Sequence, residues 1–421
     1  MKILVLNCGS SSLKYKLFEM GVGAILAQGQ ADRIGLSDAI FRHEMSGAAF
    51  VNETPLNNHH EAVHVLLKEL ADGGRGIVKQ MSDIGGVGHR VVHGGEHFRS
   101  SVVVNPEIRQ KLESTKVLAP LHNPPSLMGI DVCTELMSGV PQVAVFDTAF
   151  HQTMPAYAYT YAIPYRYYLE DHVRRYGFHG ISHEYVALRA AEILNKNMTD
   201  LRIVTCHLGA GSSLCAIAGG KALDTTMGFT PLSGLVMATR CGDMDPAVVS
   251  FIMEKEGCSR NDVLDILNRQ SGVLGISGIS PDFRDLEKAA ATGNERAKLA
   301  LEVYAYSVAR GIGSLIPAIG GLDVLVFTAG IGENSSDMRA RICGFLSWMD
   351  VELNEEMNAR GAGEREISAP TSRIKVFVIK TDEEKMIARE TWTVLRKSKD
   401  ATEGQLHLPN HSTNKELEVI K

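Results

Sequence analysis

Short runs rich in β-branched residues alternate along this chain with longer stretches of helical period. KILVLN, KYKLF, IGGVGHRVV, QVAVFD, RIVTCHL, SLCAIA, VLVFTA and KVFVI each predict a strand. In EAVHVLLKELA, Val63, Leu66, Leu67 and Leu70 fall on one helical face, and HEYVALRAAEIL and ERAKLALEVYAYSVARGIGSLI predict further helices. Strands interleaved with helices define an α/β fold class.

One pattern occurs twice. ILVLN-CGSSS-LKYKLF near the start is echoed by RIVTCHL-GAGSS-LCAIA at residues 202–218. Each reads as strand, Gly/Ser turn, strand, and the repeat predicts two related α/β domains, each opening on a hairpin with a small, donor-rich tip. A ligand would lie between the tips, although each also reads as an ordinary hairpin turn. The Tyr/Pro-rich stretch after residue 148 marks the expected boundary, giving domains over residues 1–150 and 151–383. The polar, aperiodic segment 398–421 reads as a flexible tail.

A length of 421 residues is too long for one core and fits two or three domains. The formal charge of -6, without any Lys/Arg block, gives no footprint for nucleic acid or anionic membrane and favours a small-molecule partner. Neither a signal-peptide pattern nor an apolar run of membrane-spanning length is present, which predicts a cytoplasmic protein. The seven scattered cysteines, never spaced as CxxC, read as reduced thiols.

A third glycine-rich turn follows a buried-strand run in VLVFTAGIGENS, where Gly330 and Gly332 let backbone N–H groups approach a phosphate. None of the three turns fits a P-loop or a Rossmann fingerprint. The remaining polar signals sit after apolar strands: Arg90 in GHRVVHGGE, His122 in LAPLHNPPS, Asp147 in VAVFDTAFH, His179 in RYGFHGISH and Arg240 in GLVMATRCGDMDP. Singly, each reads as an ion-pair or core residue; five in such loops point to a site.

Together, the opening hairpin, GHRVVHGGE, FDTAFH, YGFHGISH, TMGFTPLSGLVMATRCGDMDP, the DFRD of residues 282–285 and FTAGIGENS resemble the acetokinase family, within the acetate and sugar kinase/Hsp70/actin superfamily. The resemblance runs in order to about residue 395. It implies duplicated actin-like, ribonuclease H-like βββαβαβα cores flanking an active-site cleft, with a helix near residues 384–397 completing the first domain. It also implies a homodimer and reversible phosphoryl transfer from ATP to acetate, with Mg2+ or Mn2+ as cofactor and acetyl phosphate and ADP as products.

Residue by residue, the resemblance makes Arg90 the carboxylate clamp, Arg240 and His179 stabilisers of the transferring phosphoryl group, His122 a further donor and Asp147 a catalytic aspartate. Since acetate is already ionised at neutral pH, a positioning or metal-linked role suits Asp147 better than general base. Asn7 and Glu383 match metal positions, and Val92, Leu121, Phe178 and Pro231 the apolar substrate pocket. Ser10, Ser12, Lys14, His207, Gly209 and Gly211 would face the phosphates, with Asp282, Phe283, Arg284, Gly330, Ile331 and Asn334 beside the adenosine.

Two departures stand out: HLGAG in place of HLGNG, putting Ala210 where an amide would face the phosphates, and TDEE in place of TNEE, adding Asp382 beside Glu383. HEAVH, residues 60–64, matches the zinc-protease helix signature but lacks a third ligand nearby, and its apolar stripe reads as an ordinary amphipathic helix. The rival functions are a propionate or butyrate kinase with the same mechanism, and a non-catalytic, nucleotide-gated binding protein of the actin or Hsp70 kind.

Overall fold

The computed structural model describes residues 1–45, 48–52, 55–71, 76–120, 122–361 and 363–406. Among the described residues, fourteen strands lie in two sheets. The first sheet holds β1 (Lys2–Cys8), β2 (Ser12–Glu19), β3 (Ala24–Asp32), β4 (Ile40–Met45), β5 (Ala48–Asn52), β6 (Ile84–Val91), β7 (Val102–Val103) and β8 (Gln142–Phe146). The second holds β9 (Ile203–Leu208), β10 (Ser212–Ala218), β11 (Lys221–Thr225), β12 (Val324–Thr328), β13 (Arg365–Glu366) and β14 (Lys375–Val378).

The eight-stranded sheet runs β5-β4-β3-β2-β1-β6-β8-β7 and the six-stranded sheet β11-β10-β9-β12-β14-β13. Each contains the same unit. In β3-β2-β1-β6-β8 an antiparallel meander continues into strands parallel to β1, and β11-β10-β9-β12-β14 repeats that order and sense. The sequence echo is therefore the β1–β2 and β9–β10 hairpins, in the same place in two copies of one topology. All eight strands predicted from the sequence are present.

Burial on both faces explains the continuous apolar strands: every residue of β8, β9 and β12 is buried. One face of the second sheet takes helix Glu295–Ile319 through Tyr304, Val308 and Ile312. The other takes helix Gly180–Ile193 through Val186, Ala187 and Ala190. Helices His59–Ala71 and Asn123–Leu136 cover one face of the first sheet. Its opposite face is covered from far along the chain by helix Glu383–Leu406, whose Met386 and Ile387 pack with Ile3, Val5, Val143 and Val145.

That last helix differs from expectation at its end. It continues to Leu406, so the segment read as a tail from residue 398 begins as helix, and the rest of that segment lies outside the described residues. All seven cysteines are free, five of them buried, and burial pushes the Cys8 thiol up to about 12. No helix among the described residues is long and apolar enough to cross a membrane.

The seam between the C-terminal helix and the first sheet depends on absent side chains. A Cβ on Gly88 of β6 would lie 2.8 Å from Ile387 Cγ2 and closer still to Thr391 Oγ1. Gly88→Ala should therefore destabilise the fold by about 1–3 kcal/mol, as overpacking does. Urea unfolding will measure this, and an unchanged midpoint would count against the tightness of the seam.

Candidate active site

Arg90 lies near the end of β6 and Asp147 directly follows β8, the parallel neighbour of β6. Adjacent strand ends thus present a guanidinium and a carboxylate side by side. Arg90 Nε donates to Asp147 Oδ1 at 3.2 Å and Nη2 to Oδ2 at 2.5 Å. Glu383, first residue of the C-terminal helix, brings Oε2 to 3.7 Å from Arg90 Nε. Burial works against the Arg90 charge, but Asp147 and Glu383 outweigh it and leave its pKa raised. Burial raises the Asp147 pKa, with Arg90 opposing and Glu383 adding to the rise.

Asp382, the TDEE departure, is offset locally. Lys16 reaches Asp382 at 3.0 Å and Glu384 at 3.3 Å, so the two acids flanking Glu383 share one cation. Neither the Glu383 carboxylate nor the Asn7 side chain makes a hydrogen bond among the described residues.

His179 holds a left-handed backbone, φ +58°, immediately before helix Gly180–Ile193. Gly180 allows that helix start to come against the strand end: its N–H donates to Asp147 O at 2.8 Å, and a Cβ there would strike that carbonyl. The His179 ring stacks on His207 of β9, centroids 4.1 Å apart, and its Nδ1 lies 2.9 Å from Ser213 Oγ. His207 Nδ1 meets Ser182 Oγ at 2.8 Å. Burial lowers the pKa of both rings, to about 4 for His207.

Arg240 joins them. A Cβ on Gly211 would lie 3.2 Å from Arg240 Nη1 and 3.6 Å from His179 Nε2, so both donors flank the second hairpin tip. Arg240 is steadied by the Pro231 carbonyl at 3.2 Å and Met237 Sδ at 3.8 Å. His122 precedes helix Asn123–Leu136, and burial lowers its pKa, with Arg90 and Arg240 adding to the fall and Asp147 opposing. Of the expected apolar pocket, Val92 and Phe178 pack with Met227 and Met237 in one buried cluster. Leu121 lies outside the described residues.

The first tip is closed by Gly9 N–H on Ser12 O at 2.8 Å and braced from below by His59 Nε2, 2.7 Å from Gly9 O. Ser10 and Lys14 are exposed there and Ser12 half-buried. Gly209 closes the second tip on Gly211 O at 3.1 Å. At the third turn, Ala329 adopts φ +64° and opens the short helix Ala329–Asn334, leaving Gly330 and Asn334 exposed and Ile331 half-buried. Asp282 caps helix Phe283–Ala291 and pairs with Arg284, whereas the Phe283 ring is in the core, edge-on to Tyr304 with centroids 4.6 Å apart. Any Phe283 contact with a ligand therefore falls to its backbone.

Residues 2–389 match the model of the acetokinase family. The chain belongs to the acetokinase family. It is 55% identical over 393 residues to the acetate kinase of Thermoanaerobacter pseudethanolicus, an alignment covering 93% of this chain and 98% of that protein. Among solved structures, Porphyromonas gingivalis acetate kinase superposes with a TM-score of 0.89 at 47% identity, covering 94% of this chain and 99% of that one. A propionate kinase from Francisella tularensis gives 0.87 at 39% identity, covering 93% and 99%. The acetokinase chain is accordingly an enzyme, a phosphotransferase with a carboxylate as acceptor. That family membership sets aside the nucleotide-gated binding protein and the metalloprotease; in HEAVH, His60 lies near Glu135, and the described residues hold no group of three or more His, Cys, Asp or Glu that could bind a metal.

Several further residues brace the candidate site. Lys16 supplies one cation to the two acids that flank Glu383. Asn123 locks the loop carrying His122, accepting from His93 N–H at 3.1 Å and donating to His93 O at 2.8 Å. Glu333 gathers the Ala329 and Thr381 N–H groups on Oε1, tying the third turn to the TDEE loop. Ser182, His183, Thr205 and Ser213 form a polar layer behind the two stacked rings. Only His183 carried a signal, four residues after His179 in GFHGISH and so on one helical face with it.

Buried neutral histidines predict a pH dependence of stability. Burial lowers His89, His93, His151 and His207 to about 4, below the ordinary value of 6.5. Between those limits the unfolded chain binds protons that the folded chain does not, so stability is full above pH 6.5 and falls towards pH 4. Each such group contributes about 1.4 kcal/mol per pH unit. Urea midpoints at pH 7.5 and 5.5 should differ accordingly, and equal midpoints would refute the neutral burial of these rings.

Proposed function

We propose that this chain is an acetate kinase that transfers the γ-phosphoryl group of ATP directly to acetate, reversibly, giving acetyl phosphate and ADP. The observation that carries the reading is the convergence of four donors, Arg90, His122, His179 and Arg240, beside a small apolar cluster. Arg90 spends its Nε/Nη2 edge on Asp147. Its Nη1 has no partner among the described residues, leaving the other edge of the guanidinium for a substrate carboxylate. Val92 and Phe178, with Pro231, would wall the methyl group.

In the reaction, a carboxylate oxygen attacks the γ-phosphorus, the bond to the β–γ bridging oxygen breaks, and ADP leaves with that electron pair. No proton need move, because acetate enters ionised. Arg240 and His179 would face charge spreading over the equatorial oxygens, with His122 beside them. Asp147, buried and bidentate on Arg90, is suited to aiming the clamp rather than removing a proton. The serine tip with Lys14 and the glycines at 209 and 211, beside His207, would hold the phosphates. The turn from Gly330 to Asn334 and the 282–284 segment would flank the adenosine.

The acid and amide oxygens of Glu383 and Asn7 suit Mg2+, or Mn2+, which takes hard oxygen ligands and keeps several waters. Both side chains are unspent in hydrogen bonds, and a metal held there would neutralise charge on the β and γ oxygens. A homodimer is part of the same reading, and exposed Tyr157, Ile163, Tyr165 and Leu169 offer apolar surface for it.

Trapping of acyl phosphate as the hydroxamate, with ATP, Mg2+ and each of acetate, propionate and butyrate, tests the activity. Acetate should give the highest kcat/KM; no product with any acid would sink the kinase reading, and a higher kcat/KM with propionate would overturn only the acceptor. Arg90→Lys keeps the charge but loses the fork, and should raise the acetate KM at least about tenfold with the ATP KM within about twofold. An unmoved acetate KM would remove Arg90 from the clamp.

A further inference from the structure

Behind the stacked rings runs a continuous chain of hydrogen bonds. Thr205 Oγ1 lies 2.7 Å from His183 Nδ1, His183 Nε2 lies 2.8 Å from Ser213 Oγ, and Ser213 Oγ lies 2.9 Å from His179 Nδ1. Thr205, His183 and Ser213 are fully buried. Among the described residues, neither hydroxyl has another hydrogen-bond partner. Each buried hydroxyl proton must therefore find its acceptor within this chain, because an orphaned donor costs about 1–3 kcal/mol.

That requirement fixes the direction. If His183 carried its hydrogen on Nδ1, Thr205 would have to accept, and its own proton would be orphaned. If both rings donated to Ser213, the serine proton would be orphaned instead. One arrangement leaves none over: Thr205 O–H donates to His183 Nδ1, His183 Nε2–H to Ser213 Oγ, and Ser213 O–H to His179 Nδ1. The His179 hydrogen then sits on Nε2, the nitrogen on the Gly211 side, where Arg240 Nη1 also points.

We infer that Thr205, His183 and Ser213 are positioning residues that set the tautomer of His179, making its Nε2 a neutral, fixed donor towards the transferring phosphoryl group. The inference deepens, and rests on, the role proposed above for His179. The neutral state agrees with the burial of that ring and with the nearby His207, His183, Arg90 and Arg240, all of which lower its pKa. A hydrogen held in advance at the right nitrogen needs no reorganisation when charge develops. A ring with the other tautomer would aim a lone pair at phosphoryl oxygens.

Two measurements test this. In wild-type enzyme with labelled histidine, the 15N spectrum of His179, assigned by loss of its signals in His179→Asn, should show a protonated pyrrole-type Nε2 and a pyridine-type Nδ1. Hydrogen on Nδ1, or on both nitrogens, at neutral pH would overturn the inference without any variant having to fold. Ser213→Ala should reduce kcat about tenfold to a hundredfold, part of the 10²–10³ lost with a whole donor of this kind. The KM values for acetate and ATP should stay within about twofold, and Ser213→Thr, which restores the hydroxyl, should recover kcat. An unchanged kcat in a folded Ser213→Ala enzyme would overturn the relay. A wild-type chain that forms no acyl phosphate yet shows the Nε2–H tautomer would instead defeat the kinase reading and leave the relay standing.

Discussion

Everything in the site is organised around one half-buried guanidinium paired with a buried carboxylate. Taking a guanidinium out of water is unfavourable unless fixed acceptors replace its hydration, and a buried ion pair is a poor source of stability even when well formed. Arg90 is nevertheless placed where two parallel strands end, with Asp147 filling one of its edges and Glu383 close by. The acids come from sequence-distant elements, so the charge can be satisfied only when β6, β8 and the C-terminal helix have all docked. Lys16 extends the same logic across β2 by taking up the two acids beside Glu383. The arrangement makes a poor cornerstone and a good clamp: a guanidinium immobilised on one edge presents the other in a fixed direction.

The duplicated topology explains why the donors converge. In each sheet the first hairpin and the following parallel strands end on the same side, so tip, strand end and helix start gather there. His207 and Thr328 are register partners on β9 and β12, which brings the third turn beside the second tip. The first sheet does the same with Arg90 and Asp147. Two copies of one connectivity thus bring a hairpin tip and the ends of parallel strands to the same side of each sheet.

Much of this was legible in the chain. The eight strands read from sequence are buried or sit at the centre of their sheets, where apolar runs are longest. Those missed are edge or near-edge strands: β3 in AILAQGQAD interrupts its apolar residues with Gln and Gly, and β7 and β13 are two residues each. β4, IFRHEM, does alternate, with Phe41, His43 and Met45 inward, but the polar inward residue hides the period. The motifs single out Arg90, His122, Asp147, His179 and Arg240, which the fold brings near one another, because those residue types are unusual after apolar strands. Lys16, Thr205 and Ser213 were silent because nothing local distinguishes a lysine, threonine or serine within a strand; their roles exist only through partners hundreds or tens of residues away.

The altered second tip can be judged on the same terms. With Ala210 in place of an amide, that turn has one side-chain donor fewer to offer a phosphate, but its shape does not depend on the missing group. Gly209 N–H closes on Gly211 O, Ser212 Oγ donates to Gly209 O at 3.1 Å, and Ala238 N–H holds Ala210 O at 3.3 Å. All three bonds accept on backbone carbonyls, and none requires a particular side chain at residue 210. The nearby donors, Arg240 Nη1 and the His179 ring, lie against Gly211. The tip is therefore shaped by its own backbone, and an alanine at residue 210 does not loosen it.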